Sequence, residues 1–310
     1  MTTTNSASAL EANGKAAAAV TPAVPHTLPQ SHLPDEPLVT IQPSRSWSAL
    51  NLRELWAYRE LLYFLVWRDV KVRYKQTALG VAWVVMQPLL TTVIFTLFLG
   101  RMVGVPSDGV PYPLFLYAGM LPWTFFTGAI TFSSNSLVGN SHLITKVYFP
   151  RALIPAAAVA ARLLDFAVGF VVLAFLMAWY RVGLTPNILM LPVCVLLVML
   201  FSLGLGMAAS AVNVKYRDVG VIVPFVLQLW MFTAPVVYPV SLVNQHLPER
   251  WRWLYALDPL VGIIEGFRSS LFGRAFDWVS LATSAAITLA VLVYASFFFR
   301  RVQTQFADIV

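Results

Sequence analysis

The sequence predicts an all-α, polytopic membrane protein. We expect six transmembrane helices, an N-terminal amphipathic interface helix and a re-entrant helical hairpin on the outer side between spans five and six. Hydrophobic residues make up 58% of the chain and charged residues only 11%, whereas a soluble domain contains about a quarter charged residues. Six stretches lack charged residues altogether: 76–100, 109–145, 166–180, 182–214, 219–248 and 278–299. Because a transmembrane helix needs about 20 apolar residues, stretches of this kind are typical of spans.

We place the spans at about 77–100, 113–138, 154–180, 187–212, 220–238 and 278–299. With their loops they form a transmembrane domain over 46–310. Residues 1–45 are rich in Ala, Pro, Ser and Thr, and they lack the basic-then-apolar order of a signal peptide. We interpret residues 1–45 as a disordered cytoplasmic tail.

The distribution of Lys and Arg predicts the orientation. Seven basic residues lie between positions 45 and 75, just before the first span: Arg45, Arg53, Arg59, Arg68, Lys71, Arg73 and Lys75. Loops on the same side contain Lys146, Arg151, Lys215, Arg217, Arg300 and Arg301. Fewer lie on the opposite side, so the positive-inside rule places both termini in the cytoplasm. No basic cluster lies outside the membrane flanks, so we expect no nucleic-acid partner despite the net charge of +7.

The segment 53–75 has two faces and predicts the interface helix. Its apolar residues recur at three- and four-residue steps: Leu55, Tyr58, Leu62 and Leu65. Its basic residues lie on or beside a second face: Arg68, Lys71, Arg73 and Lys75. Such a helix lies in the membrane interface with its basic side toward anionic lipid headgroups.

The cytoplasmic loop 140–155 combines a basic residue with aromatic residues. We expect Lys146, Tyr148 and Phe149 to be exposed there. Exposed aromatic side chains on so short a loop suggest a docking surface for another protein. Anchoring of these aromatic residues in the membrane interface is the alternative.

The third predicted span contains two opposite charges, Arg162 and Asp165, at i and i+3. At this spacing they can meet on one helix face and offset each other. Charges inside a membrane usually face the protein interior or a wet cavity. A structural link between helices and a role in the substrate path are both compatible with this pair.

Residues 240–273 follow span five and are too short to cross the membrane twice. The part from Trp251 to Gly273 predicts two short helices that are broken at Asp258-Pro259. The apolar stripe of the second helix consists of Ile263, Ile264, Phe267 and Leu271. Apolar helices too short to span predict a re-entrant hairpin that enters from the outside.

Residues suited to catalysis or metal binding are scarce. The four His residues show no metal-ligand spacing, Cys194 is the sole cysteine, and GxxxxGK[ST] is absent. We therefore expect no catalytic residue, no metal and no cofactor bound by this chain. Three classes stay open: a membrane subunit powered by a separate ATPase, an ion-coupled transporter, and an intramembrane enzyme acting on lipid-linked glycans. Ion-coupled carriers usually need buried carboxylates, and the predicted spans contain only Asp165, which favours the first class.

Five ordered passages resemble the membrane permeases of type-2 ABC transporters that export bacterial polysaccharides, including O-antigen, capsule and teichoic acid. The passages are RDVKVRYKQTALGVAWVVMQPLL (68–90), GMLPWTFFTGAITFSSNSLVGNSHLITKVYFPRALIP (119–155), VKYRDVG (214–220), LWMFTAPVVYP (229–239) and LDPLVGIIEGFRSSLFG (257–273). The resemblance extends from about Arg53 to Arg301. The tail has no counterpart in it, and Asp258 stands where such permeases commonly have Asn.

The resemblance implies a homodimer in the bacterial inner membrane that works with two nucleotide-binding ATPase subunits, where ATP and magnesium bind. It implies outward movement of a polyprenyl-diphosphate-linked glycan, either O-antigen or capsular polysaccharide. The stretch 140–152 resembles the family's coupling helix, and the stretch 240–273 resembles its periplasmic gate helices. Membrane lipids are the remaining expected partner.

Site residues follow from these matches. The expected ATPase contacts are Lys146, Tyr148, Phe149 and Arg151. The expected contacts for the diphosphate are Arg68, Lys71, Arg73 and Lys75, with ordinary headgroup anchoring as the alternative. The aromatic residues expected along the glycan path are Trp123, Phe126, Trp230, Phe232 and Tyr238, with lipid-facing or core packing as the alternative. The expected gate residues are Trp251, Trp253, Pro259, Glu265 and Arg268.

Overall fold

The computed structural model describes residues 56–75, 81–146 and 149–303, all within the structural unit Ser48–Val310. The described residues form helices joined by turns and short connections, and none of them forms a strand. This confirms the predicted all-α class. The predicted tail and the first three residues of the predicted interface helix lie outside the described residues.

The helices follow one another with short connections. In chain order they are α1 (Arg59–Lys75), α2 (Val81–Phe95), α3 (Tyr112–Gly139), α4 (Ser141–Lys146), α5 (Leu153–Trp179), α6 (Leu191–Lys215), α7 (Val219–Thr233), α8 (Val240–His246), α9 (Glu249–Ala256), α10 (Pro259–Phe272) and α11 (Trp278–Gln303). A π-helical stretch, Thr96–Val103, continues α2, and a 3₁₀ turn, Pro186–Met190, leads into α6.

Five stretches of the described chain are long and apolar enough to cross a membrane. They are Ala82–Val103, Tyr112–Gly139, Leu153–Trp179, Pro186–Lys215 and Trp278–Gln303. Each coincides, to within a few residues, with one of the predicted spans. Charge-free stretches of this length therefore indicated where the long helices lie.

The fifth predicted span, 220–238, contains a shorter helix than expected. Helix α7 has 15 residues, which at 1.5 Å per residue is about 22 Å, less than the roughly 30 Å of bilayer hydrocarbon. The helix ends at Thr233 because Pro235 disfavours helical backbone at the residue before it, and Ala234 is extended with φ −76° and ψ 147°. A full helical span at this position is therefore not confirmed.

The segment between α7 and α11 forms three short helices. The predicted break at Asp258-Pro259 is present, since α9 ends at Ala256 and α10 begins at Pro259. Asp258 caps α10 by accepting a hydrogen bond from the backbone N–H of Leu260 at 3.0 Å. The predicted apolar stripe is buried, and so is almost every other residue of α10.

Helix α3 is the centre of the core. It packs against α2, α5, α6, α7 and α10. In its most apolar part, 78% of the residues are buried inside the protein. The ring of Phe126 stacks on Phe201 of α6 at 5.4 Å, and the indole of Trp230 on α7 meets Phe126 edge-on at 5.5 Å. The stretch Ala82–Val103, which contains α2, is far more exposed, because only 6% of the residues in its most apolar part are buried.

A second hydrophobic cluster joins the inner ends of the helices. Leu65 of α1, Phe149 in the loop after α4, Met207 of α6 and Phe299 of α11 are all buried in it. This cluster fixes α1 and the 140–152 loop to the rest of the bundle.

Helices α10 and α11 approach very closely at Gly262. A Cβ added to Gly262 would lie 2.7 Å from the carbonyl carbon of Ser280 and would also meet the Ser284 hydroxyl. Backbone cannot move aside as the end of a flexible side chain can. The absence of a side chain at Gly262 therefore permits this contact.

We expect Gly262→Ala to lower the thermal unfolding midpoint, because overpacking of a tight contact costs about 1–3 kcal/mol. Gly139→Ala is the matched control, since a Cβ at Gly139 meets nothing within 4 Å. Both variants are compared by thermal unfolding in detergent. Equal midpoints for the two variants would contradict the tight α10–α11 contact.

Candidate functional site

A cluster of opposite charges joins α1 to α5. Asp165 Oδ2 lies 2.8 Å from Arg162 Nη1 on the same helix and 2.5 Å from Arg73 Nη1 on α1. The hydroxyl of Tyr74 donates to the other carboxylate oxygen. The expected pairing of Arg162 with Asp165 is therefore present. Arg73 adds the inter-helix connection, and we call Arg73, Arg162 and Asp165 the charged cluster.

The ring of Phe132 on α3 fixes the two arginines of the charged cluster. The guanidinium carbon of Arg162 lies 3.8 Å from the ring centroid, and that of Arg73 lies 4.4 Å from it. Both cations therefore interact with the same π-system. The charged cluster thus holds the end of α1 against both α3 and α5.

The other predicted diphosphate contacts on α1 have separate environments. Arg68 forms an ion pair with its neighbour Asp69 at 2.8 Å. Lys71 is exposed beside the ring of Trp67, and Lys75 is exposed at the end of the helix. Only Arg73 joins the charged cluster, so the four residues do not form one compact anion site.

A cavity of about 630 Å³ lies against the charged cluster. Its walls come from the end of α1 and from α2, α3 and α5, and they include all three members of the charged cluster. We call it the inner cavity. A second cavity of about 370 Å³ lies between α3, α5 and α7. Thr127, Gly128 and Arg162 line both cavities, so the two are neighbours at Arg162.

The predicted coupling segment 140–152 is only partly as expected. Lys146 is exposed at the end of α4, and Tyr148 lies outside the described residues. The expected exposure of Phe149 is wrong, since its side chain is only 7% exposed. Phe149 packs into the cluster of the inner helix ends because the apolar neighbours Leu65 and Ile144 cover it. Arg151 is half-buried and donates to the backbone carbonyl of Gln303 in α11.

The five aromatic residues predicted along the glycan path differ in how far they are buried. Phe126 is fully buried in the stacked core, and Trp123 is nearly buried at the wall of the second cavity. Trp230 is half-buried, with its indole N–H donating to Asp258 at 2.9 Å. Phe232 is exposed, and Tyr238 is half-buried with its hydroxyl donating to the Phe232 and Thr233 carbonyls. Core packing, the alternative reading, therefore accounts for Phe126 in this conformation.

The predicted gate residues also differ in how far they are exposed. Trp251 and Trp253 of α9 are exposed, whereas Pro259 is buried at the start of α10. Glu265 is partly exposed and lies 3.9 Å from Arg268. Arg268 is fully buried.

Arg268 holds the non-helical residues that follow α7. Its two terminal nitrogens donate to the carbonyls of Pro235 and Val236, each at 2.7 Å. Its guanidinium carbon lies 3.7 Å from the ring centroid of Phe115 on α3. Arg268 therefore supplies the hydrogen bonds that these two buried carbonyls cannot obtain from a helix. The Glu265–Arg268 spacing on an otherwise apolar helix was the only sequence signal for it.

Asp258 connects α7 to α10. One carboxylate oxygen accepts from the Trp230 indole and the other from the Leu260 backbone N–H. An aspartate can accept both bonds at once, which explains why a charged residue suits this position.

An ionic contact outside the core links the loop after α2 to the loop before α11. Arg274 lies 3.3 Å from Asp108 and also donates to the Asp108 and Ser107 carbonyls. Ser241 of α8 donates to the same carboxylate at 2.8 Å. Asp277 lies just before α11. Its carboxylate accepts hydrogen bonds from the Ser280 hydroxyl and from two backbone N–H groups, which hold the pKa of this carboxyl below its usual value. These contacts hold the start of α8 and the start of α11 to the first outer loop.

Within residues 56–75, 81–146 and 149–303, no three His, Cys, Asp or Glu side chains come together in a metal-ligand arrangement. The described chain combines five long apolar helices with a segment of three short helices that Arg268 holds to the bundle. This combination is that of a membrane-embedded protein.

The chain belongs to the ABC-2 type transporter family, whose pattern it matches over residues 60–272. It is 30% identical over 259 residues to the O-antigen export system permease protein RfbA of Myxococcus xanthus, covering 83% of this chain and 98% of that protein. It is 28% identical to the protein of the same name in Klebsiella pneumoniae, covering 81% and 95% of the two chains. The polysialic acid transport protein KpsM of Escherichia coli is 25% identical over 73% of this chain and 86% of its own length.

We expect Arg268→Lys to destabilise the protein by about 1–3 kcal/mol, because a single ammonium nitrogen replaces the planar guanidinium fork that serves both carbonyls and packs on Phe115. Arg181→Lys, at an exposed position, is the control. Thermal unfolding in detergent compares the two. A midpoint for Arg268→Lys that equals the control would show that the hydrogen bonds to Pro235 and Val236 contribute nothing.

Proposed function

We propose that this chain is the permease subunit of an ATP-driven exporter that moves a polyprenyl-diphosphate-linked polysaccharide outward across the bacterial inner membrane. The observation that carries this proposal is the similarity to O-antigen export permeases over nearly their whole length. The polysialic acid transport protein is less similar. O-antigen is therefore the favoured substrate, and capsular polysaccharide is the second candidate.

The proposed topology has six crossings with both termini in the cytoplasm. Helix α7 contributes about 22 Å, and the extended residues 234–238 would add roughly 16 Å at about 3.3 Å per residue. The two parts together are long enough for the hydrocarbon core. Helix α1 lies at the cytoplasmic interface in this arrangement, and α8, α9 and α10 form the re-entrant periplasmic hairpin.

The proposed complex contains a second copy of this chain and two ATPase subunits that bind ATP and magnesium. The sequence lacks GxxxxGK[ST], so a separate subunit must supply hydrolysis by that type of site. The coupling segment 140–152 would dock on the ATPase through Lys146 and Tyr148. Phe149 and Arg151 would transmit the motion instead, because Phe149 lies in the inner cluster and Arg151 binds the end of α11.

The glycan would leave past the outer hairpin. Phe232, Trp251 and Trp253 are exposed aromatic side chains on α7 and α9. Aromatic rings stack on sugar faces without binding one position strongly, which suits a polymer that must keep moving. Arg268 and Asp258 would keep the hairpin attached to α3 and α7 while it does so.

Ion-coupled transport is the weaker alternative. Asp165 is the only acid within the five long apolar helices, and its carboxylate already pairs with two arginines and a tyrosine. Release of those partners would have to accompany each ion-binding step. Family membership and this pairing both favour an external energy source.

We expect Lys146→Glu to reduce association with the ATPase subunit and to abolish surface O-antigen, because charge reversal opposes docking at an exposed position. Lys215→Glu is the control, as an equally exposed lysine on the same predicted side. Co-purification of the ATPase and immunoblotting of surface polysaccharide provide the measurements. Equal loss in both variants would point to a general charge effect, and wild-type export in Lys146→Glu would reject docking through this residue.

Joint replacement of Trp251 and Trp253 by alanine is expected to lower the export rate several-fold while leaving ATPase association unchanged. Trp278→Ala is the control, since this exposed tryptophan lies on α11. Pulse labelling of surface polysaccharide measures the rate. Normal export by the double variant would remove α9 from the glycan path.

A further inference from the structure

The inner cavity lies behind the least buried of the long apolar helices. Its outer wall is α2, which contacts α3 and α5. Only 6% of the residues in the most apolar part of this span are buried. Its inner wall is formed by α3 and α5, and the charged cluster closes one end. A volume of about 630 Å³ is within the range of sites that bind small molecules.

The charge at this end of the cavity is not balanced. Arg73 and Arg162 carry two positive charges and Asp165 carries one negative charge, and all three side chains are less than 20% exposed. The Nε–H groups of both arginines are buried and have no acceptor among the described residues. Buried cations and donors without partners are costly. An anion with several acceptor oxygens would supply what the protein leaves out.

The arginines are arranged in advance for such an anion. Phe132 lies against both guanidinium groups and so restricts their planes. Gly128 permits this placement of Arg162, since a Cβ there would lie 3.1 Å from the guanidinium carbon. Two arginines held together in this way suit the tetrahedral oxygens of a phosphate group.

The rest of the cavity suits an apolar chain. Met120, Leu121, Phe125 and Phe166 contribute its apolar wall. On α2, Pro88 lacks an N–H, so the carbonyl of Val84 loses its helical partner, and both residues line the cavity. One end of the cavity is therefore cationic, and most of the remaining wall is apolar.

We propose that the inner cavity binds the phosphate head of a membrane lipid, with Arg162 and Arg73 as the anion contacts. Asp165 is the internal counter-ion, and the lipid phosphate accepts from the Nε–H groups of the two arginines, which have no acceptor among the described residues. Identification of that lipid as the polyprenyl diphosphate carrier depends on the proposed function. An ordinary anionic phospholipid has the same phosphate chemistry.

The position of Arg162 between the two cavities determines where the bound phosphate head lies. It lines both the inner cavity and the smaller cavity that reaches α7. A phosphate held at Arg162 therefore lies where the lipid-facing cavity meets the side of the bundle that carries Trp123 and Met231. A polymer attached to that phosphate would therefore begin beside the cavity that reaches α7.

The test measures lipid binding to the full-length chain in detergent by native mass spectrometry. The probes are undecaprenyl diphosphate, undecaprenol, phosphatidylglycerol and phosphatidylcholine. We expect the diphosphate to bind at least tenfold more tightly than undecaprenol. Stronger binding of the diphosphate than of phosphatidylglycerol identifies the carrier, and equal binding identifies a general phospholipid site.

Two variants of the charged cluster should change binding in opposite directions. Arg162→Gln should weaken diphosphate binding about tenfold, whereas Asp165→Asn should bind at least as tightly as the wild type, because a competing carboxylate is gone. Arg181→Gln, at an exposed position away from both cavities, should bind as the wild type does. If Arg162→Gln fails to fold, Gly128→Ala, which displaces the Arg162 side chain, should weaken binding in its place.

Several outcomes overturn the proposal. Equal binding of undecaprenol and the diphosphate would show that the phosphate is not recognised. Parallel weakening by Arg162→Gln and Asp165→Asn would show that the charged cluster is a structural link only. Failure of the proposed function gives a different result, because the chain would then bind lipid phosphate as expected but neither co-purify with an ATPase nor support polysaccharide export.

Discussion

The cost of placing charge in a membrane governs this structure. Two charged side chains of the described bundle show how this cost is met: Asp165 has two arginines and a tyrosine, and Arg268 has two carbonyls and an aromatic ring. These partners come from different helices, so each charge also connects elements that are far apart in the chain. Asp165 joins α1 to α5 at the inner end, and Arg268 joins α10 to α3 and to the residues after α7.

The sequence predicted the long helices well, because the absence of charge over about 20 residues is a direct consequence of bilayer thickness. It overestimated the length of the fifth helix, because Pro235 disfavours helical backbone at Ala234 and the helix ends at Thr233. It also misplaced Phe149, since a loop residue can be covered by helices that are distant in sequence. Burial of this kind depends on packing, which local patterns do not report.

The candidate site was predictable in part. The spacing of Arg162 and Asp165 was enough to expect their pairing, which the structure contains. The sequence could not show that Arg73 and Tyr74 reach the same carboxylate, nor that Phe132 lies against both arginines. It could not show that Arg268 turns inward, because a helix with an apolar stripe normally places its charges on the opposite side.

The bond from Arg151 to Gln303 has a mechanical consequence. Helix α11 has 26 residues, or about 39 Å at 1.5 Å per residue. At one end of α11, Gln303 accepts a hydrogen bond from Arg151, and near the other end Ser280 packs against Gly262 of α10. Because a helix of this length is stiff along its axis, a shift at one end is carried to the other. In the proposed complex, α11 would therefore transmit a movement of the segment 140–152 directly to α10, without passing through the aromatic core around Phe126.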